Sequence, residues 1–170
     1  QIKERLAHFV SKNGVDVEGM GYRFVEQLVD KNVIQDVADI YVLDKGRLGE
    51  MDRMGDKLAE NLLAAIDRAR HPDLPHLLAA LAIGGVGEHI SRVLAKAFGS
   101  LDAISAASVE ELESVREIGP TVASSIQQFF AMPETRTLLK KLKDGGVVFP
   151  IVKTAATAPM PFDGLTFVLT

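Results

Sequence analysis

Four short segments of the chain end in glycine and could bind a phosphate group through their main chain. The first amides of a helix have no partner within that helix, and the helix dipole is positive at the same end, so both favour an anionic oxygen. A glycine directly before the helix lets a ligand approach these amides without meeting a Cβ. The segments are turn 1 (residues 17–21, Val-Glu-Gly-Met-Gly), turn 2 (51–55, Met-Asp-Arg-Met-Gly), turn 3 (83–87, Ile-Gly-Gly-Val-Gly) and turn 4 (115–119, Val-Arg-Glu-Ile-Gly).

The spacing of these segments indicates an internal repeat. Their closing glycines, Gly21, Gly55, Gly87 and Gly119, are separated by 34, 32 and 32 residues. A single Gly-x-Gly is more often a structural bend than a binding site, because short motifs match by chance. Four turns at a nearly constant period favour one structural unit used four times, with phosphate binding in at least two turns.

The turns differ in the residue two positions before the closing glycine. Turns 1 and 3 have glycine there, Gly19 and Gly85, and are the first candidates. Turns 2 and 4 have Arg53 and Glu117, so we expect them to be less open and Glu117 to repel a phosphate. The apolar residue between is predicted to anchor each turn in the core: Met20, Met54, Val86 and Ile118. Candidate supporting donors early in the following helices are Tyr22, Arg23, Lys57, His89, Thr121 and Ser125.

Apolar residues at helical spacing flank every turn and predict helix, turn, helix in each unit. The fold class is therefore all-α, without a long heptad seam, and we expect a monomer. Residues 1–70 (units 1 and 2) and 71–149 (units 3 and 4 with a closing helix) are predicted to pack as two related halves. Residues 150–161 are predicted to be a linker. Residues 162–170 are typical of a turn opening a strand, the start of a truncated α/β domain.

Composition limits the kind of binding that is possible. Apolar residues make up 47% and charged residues 25%, as in a soluble globular protein, but the net charge is −4. Binding to an anion must then be local, through amides and a few placed cations, with a dissociation constant of roughly 10⁻⁴ to 10⁻⁶ M for nucleic acid at physiological salt. No apolar run approaches the length of a membrane span, and no signal-peptide core follows the charged start, so we expect a cytoplasmic protein.

Catalytic and metal chemistry find little support in the sequence. The chain has no cysteine, which excludes disulfides and thiolate metal sites, and its four histidines lack ligand spacing. The acidic run Glu110, Glu111, Glu113 and Glu117 is more typical of a solvated helix face than of an acid/base pair. We therefore expect no catalytic residue and no metal site within this chain.

Gly-apolar-Gly between two helices resembles the helix-hairpin-helix motif of DNA-repair proteins. Four such motifs in tandem, with residues 4–9 before them and Phe162-Asp163-Gly164-Leu165 after them, resemble bacterial NAD-dependent DNA ligase. Residues 37–43 and 81–88 are especially similar to that family. The resemblance covers essentially all 170 residues.

This resemblance implies a partner, namely duplex DNA, and in a ligase nicked duplex. Contacts to its backbone would position the protein without reading sequence. In that family this region lies between a four-cysteine zinc finger and a BRCT domain, which residues 162–170 would open. The adenylated lysine and the nicotinamide-binding parts belong to domains before residue 1. The chain alone is thus expected to be inactive and without a cofactor. NAD, zinc and a divalent metal such as magnesium would belong to the full-length enzyme of DNA replication and repair.

Two alternatives stay open at the level of sequence. The first is a tandem hairpin module of another DNA repair or recombination protein, which a preference for junctions or single strands would distinguish. The second is a helical protein-interaction domain that never touches nucleic acid, which the acidic balance favours. The salt dependence of DNA binding distinguishes this second alternative, because phosphate contacts give a steep negative slope.

Overall fold

The computed structural model describes residues 2–152, and this part of the chain is built from helices. An isolated bridge between Ser100 and Ile151 is the one contact of strand type within this range. The all-α prediction is confirmed for these residues, whereas the predicted strand lies outside them. The helices are α1 (Ile2–Val10), α2 (Tyr22–Asp30), a 3₁₀ helix (Val37–Val42), α3 (Lys45–Leu48), α4 (Asp56–Arg68), α5 (Leu74–Ala80), α6 (Glu88–Phe98), α7 (Leu101–Ala106), α8 (Val109–Glu113), α9 (Pro120–Ala131) and α10 (Pro133–Asp144).

Each turn joins two helices that pack on each other: α1 with α2, α3 with α4, α5 with α6, and α8 with α9. The predicted unit is confirmed at all four places, but the first helix of unit 2 is only four residues long. Two capping residues explain this, because Asp36 accepts a hydrogen bond from the amide of Asp39 and Asp44 accepts one from the amide of Arg47. Each cap starts a separate short helix, so the segment forms a 3₁₀ helix and then α3.

One hydrophobic core runs through both predicted halves. Apolar side chains from α1 to α10 form a single buried cluster, in which Leu6, Leu28, Leu62, Leu94 and Leu142 are almost completely inaccessible to solvent. Helix α1 packs against α5, and α10 packs against the 3₁₀ helix. The boundary near residue 70 therefore stays a prediction, and most of the predicted linker and the start of the α/β domain lie outside the described residues.

Arg70 joins the C-terminal end of α10 to the first half of the chain. Its guanidinium donates to the carbonyl oxygens of Tyr41 and Gly145 at 2.6 and 2.9 Å and lies 5.7 Å from the centre of the Tyr41 ring. The Tyr41 hydroxyl donates to the carbonyl of Ala69 at 3.1 Å, and burial raises the pKa of Tyr41 well above its usual value. Among residues 2–152, no helix is long and apolar enough to cross a bilayer.

Candidate nucleic-acid interface

The four turns share one backbone conformation. The residue two positions before the closing glycine has a positive φ in every turn, whatever its side chain. In turns 1, 3 and 4 the next amide donates to the carbonyl of the first turn residue at 2.9–3.2 Å, as in a type II turn. The expectation that turns 2 and 4 are less open to a ligand stays a prediction. These φ values are 91° at Gly19, 60° at Arg53, 79° at Gly85 and 80° at Glu117.

The first glycines of turns 1 and 3 serve packing. A Cβ on Gly19 would lie 3.2 Å from Cδ2 of Leu62, and a Cβ on Gly85 would lie 3.1 Å from Cγ2 of Val122. Turn 1 therefore packs directly on α4, and turn 3 packs directly on α9. Positive φ and close contact together favour glycine at both places for structural reasons.

At the closing glycines, neither positive φ nor close packing within the described residues requires a glycine. Their φ values lie between −92° and −79°, which any residue adopts. A Cβ built on Gly21, Gly55, Gly87 or Gly119 meets no atom within 4 Å in this part of the chain. Each is the N-cap of the following helix, where Ser, Asn or Asp would be the stronger cap. The open side of all four glycines therefore faces outward.

The amides behind these glycines are open as well. In α2, α4, α6 and α9, no N–H of the closing glycine or of the next three residues donates to an acceptor within residues 2–152. Helix α9 offers one donor fewer than the others, because its first residue is Pro120, which has no N–H. The neighbouring helices α5 and α8 differ, because Asp73 and Ser108 cap their first turns with side-chain oxygens. The second helix of each unit therefore presents uncapped amides together with the positive end of its dipole.

The second residue of each of these helices carries an exposed polar side chain. A cation in the first turn is opposed by the helix dipole, so Arg23 and Lys57 do not stand there for helix stability. Neither has a carboxylate within 4 Å among the described residues. Such cations are suited to an anion shared with the amides. The four residues are Arg23, Lys57, His89 and Thr121.

Other predicted residues are placed differently. Met20 and Val86 are buried with Ile118, so only their main chain can face a ligand, whereas Met54 is only half-buried. The hydroxyl of Ser125 donates to the carbonyl of Gly84 at 2.8 Å and so ties α9 to turn 3.

Tyr22 opens α2 and is 47% exposed, as expected of a candidate contact residue. Arg53, in turn 2, is exposed like Gly55 and Gly119. No candidate side chain other than His89 and Ser125 has a hydrogen-bond partner within the described part of the chain.

One contact between turns is invisible in the sequence. Nε2 of His89 lies 2.8 Å from Oε1 of Glu117, which joins the first turn of α6 to turn 4 across 28 residues of chain. The carboxylate expected to repel phosphate is therefore held by an imidazole. No periodicity or spacing signals a contact of this kind, because it depends on how units 3 and 4 pack.

The local charge differs among the four helix starts. Asp56 and Glu88 are the first residues of α4 and α6, and their carboxylates lie 3.9 Å from Nζ of Lys45 and 3.2 Å from Nη1 of Arg92. Helices α2 and α9 have no acidic residue in the first turn. The start of α2, with Arg23 beside uncapped amides, is the most favourable of the four for an anion. Within residues 2–152 no three His, Asp or Glu side chains are grouped to hold a metal ion.

Comparison with known proteins relates this geometry to a known motif. Residues 15–68 match the model of the SAM-like helix-hairpin-helix tandem, and residues 76–139 match the model of the helix-hairpin-helix motif. Both parts of the chain are therefore similar to helix-hairpin-helix proteins. Turns 1 and 2 fall within the first match, and turns 3 and 4 fall within the second.

The whole chain also aligns with part of several DNA ligases. The chain is 42% identical to a DNA ligase of Trichlorobacter lovleyi, 44% identical to one of Nitrosococcus oceani and 45% identical to one of Methylococcus capsulatus. Each alignment covers 100% of this chain and 25% of the ligase, so the chain spans about a quarter of the length of these relatives. The resemblance to bacterial DNA ligases is confirmed. A module of another repair protein and a protein-interaction domain are not favoured.

Proposed function

We propose that this chain holds duplex DNA by its phosphates, as the DNA-binding region of an NAD-dependent DNA ligase that seals nicks. The observation that carries the proposal is the set of four closing glycines. Nothing within the described residues requires glycine there, and a Ser or Asp would cap the helix better. An external group that approaches the amides closely accounts for glycine at all four places.

The geometry supports a simple mode of binding. A phosphate oxygen would accept hydrogen bonds from the first amides of α2, α4, α6 or α9, while Arg23, Lys57, His89 or Thr121 contributes a side-chain donor. Main-chain amides contact phosphates and not base edges, so the binding is independent of sequence. Such contacts suit an enzyme that must bind a nick wherever it occurs.

The remaining steps of ligation belong to other parts of the full-length protein. We place there the adenylated lysine, the NAD site, the zinc site and the divalent metal, because no residue of this chain matches them. The chain alone is then a monomer that binds DNA and does not seal it. A cytoplasmic role in DNA replication and repair, and a BRCT domain opened by residues 162–170, follow from the same proposal.

Placing an N-cap carboxylate at a closing glycine tests the proposal. Gly21→Asp satisfies the amides at the start of α2 and adds negative charge where a phosphate would lie. Because Asp is a good N-cap, the unfolding free energy should stay constant or rise by about 0.3 kcal/mol. Affinity for a fluorescently labelled nicked duplex should fall about tenfold, measured by anisotropy at low salt.

Gly46→Asp is the matched control. It makes the same change in residue type and net charge at an exposed glycine in α3, outside the four turns. Gly21→Ser caps the helix without adding charge and should show part of the loss. If Gly21→Asp is folded and binds DNA as tightly as Gly46→Asp, the amides at the start of α2 do not bind phosphate.

A further inference from the structure

His89 and Glu117 form the one ion-pair contact that links two of the candidate turns within the described residues. His89 is the second residue of α6, directly after turn 3, and Glu117 lies within turn 4. Nε2 of the imidazole lies 2.8 Å from Oε1 of the carboxylate, and the two side chains are 61% and 50% exposed. Both groups can therefore be reached by a ligand that binds either turn.

Stability does not explain this pair. Glu117 has a φ of 80°, a conformation that disfavours residues with a Cβ, and glycine stands at the matching place in turns 1 and 3. An exposed pair of this kind contributes little to folding. A carboxylate beside two open helix starts also opposes phosphate binding. A role in ligand binding therefore explains Glu117 better than a role in stability does.

The chemistry of the ring suggests what that role is. When Nε2–H donates to Glu117, a neutral imidazole presents Nδ1 as an acceptor, which cannot bond a phosphate oxygen. A protonated imidazole keeps the bond to Glu117 and also presents Nδ1–H as a donor. Its positive charge cancels that of the carboxylate at the same time. Only the protonated pair is compatible with a phosphate close by.

We propose that His89 and Glu117 make DNA binding at turns 3 and 4 dependent on a proton. The DNA backbone binds together with protonated His89, whose charge shields the phosphate from Glu117. When the proton leaves, the carboxylate opposes the same phosphate. This proposal rests on the proposed function, since it assumes that turns 3 and 4 bind the DNA backbone.

The segments around the pair carry several other charged groups, some of them partnered and others exposed. On α6, Glu88 is bound by Arg92 at 3.2 Å, and on α5 the carboxylate of Asp73 contacts Nδ1 of His76 at 2.7 Å. Arg116 precedes Glu117 and is exposed, while α9 carries no charged residue. The remaining carboxylates of unit 4 are exposed on α8: Glu110, Glu111 and Glu113.

The pH dependence of DNA binding tests this proposal. Because protonated His89 favours the complex, affinity should fall as the pH is raised across neutrality. For the 170-residue chain on a labelled nicked duplex at constant ionic strength, we expect a loss of roughly two- to tenfold attributable to this pair.

Conservative variants test whether His89 and Glu117 cause the pH dependence of DNA binding. His89→Gln should bind like the wild-type chain at high pH and more weakly at low pH. Glu117→Gln should bind more tightly than the wild-type chain at both low and high pH, because the repelling carboxylate is absent whether or not His89 is protonated. Only His89→Gln should therefore flatten the profile. Titration calorimetry in buffers of different ionisation enthalpy should show proton uptake on binding by the wild-type chain and less uptake by His89→Gln.

Two controls match these changes. His71→Gln removes an exposed histidine that follows α4, and Glu110→Gln removes an exposed carboxylate on α8; both should keep the wild-type profile. If His89→Gln keeps the wild-type profile and proton uptake while Gly21→Asp loses binding, the proton-linked proposal fails and the proposed function stands. If the wild-type chain itself shows no binding to the nicked duplex at low salt, the proposed function fails and the proton-linked proposal fails with it.

Discussion

At the scale of single residues, the two glycines of turns 1 and 3 have different physical roles. Gly19 and Gly85 have positive φ and lie against neighbouring side chains, whereas Gly21 and Gly87 have ordinary φ and open surroundings. The sequence alone treats both as features of a tight turn. The φ angle and the neighbouring atoms of each glycine show which glycines the fold requires and which are open to a ligand.

Arg53 offers a direct test of the strain at the first position. It has a φ of 60° and no hydrogen-bond partner among the described residues. Arg53→Gly should raise the unfolding free energy by about 1 kcal/mol, because glycine adopts positive φ without steric conflict. The same change should weaken DNA binding, because it removes a cation next to a helix start. Urea denaturation and anisotropy measure the two effects.

Arg53→Ala separates these two effects. Alanine keeps the Cβ at positive φ, so stability should not rise, while binding should weaken as much as in Arg53→Gly. An equal gain in stability from alanine and from glycine would show that backbone strain at residue 53 is not the cause.

At the scale of elements, the helices form where the apolar residues recur at helical spacing. In α6, however, the buried face differs from the face that this spacing predicts. Ile90, Val93, Leu94 and Ala97 recur at helical spacing and are predicted to face the core, yet of these four only Leu94 is fully buried. The fully buried face is formed by Ser91, Leu94 and Ala95. The buried face is displaced because α6 also packs against α7, and the sequence does not say which neighbour covers which side.

Ser91 is the consequence of that displaced face. Its side chain is 0% exposed, and its hydroxyl has no hydrogen-bond partner in the described part of the chain. Ser91→Ala should raise the unfolding free energy by about 1 kcal/mol, since an unsatisfied buried hydroxyl is removed. Chemical denaturation measures the change, with exposed Ser105→Ala as the control that should have little effect. A loss of stability in Ser91→Ala would indicate that the hydroxyl has a partner, such as a buried water.

At the scale of the whole molecule, the four units are held as one body by contacts distant in sequence. His8 contacts the carbonyl of Ala79 through Nε2 at 2.6 Å, and Lys141 binds Asp36 at 2.8 Å. Arg70 lies between the two halves and contacts both the 3₁₀ helix and the end of α10. These contacts give the turns a constant arrangement, which simultaneous binding to one rigid duplex requires.

Arg70→Met tests how strongly the halves are joined. The change removes two charged hydrogen bonds to the carbonyls of Tyr41 and Gly145 and leaves both acceptors unpaired, so we expect a loss of about 2–3 kcal/mol in unfolding free energy. Thermal and urea unfolding should both show it. Arg68→Met, at the exposed end of α4, is the control that should change stability by less than about 0.5 kcal/mol. Equal stability of the two variants would show that the Arg70 contacts do not join the halves.

The sequence by itself determined the repeat, the helix pairs and the four glycine-closed helix starts. These features depend on residues within one or two helical turns of each other, where capping, turn conformation and apolar periodicity act. The tertiary structure decided the single core, the burial of Ser91, and the contacts Ser125–Gly84 and His89–Glu117. Those features join residues that are far apart in the chain, and their contacts depend on how whole helices pack.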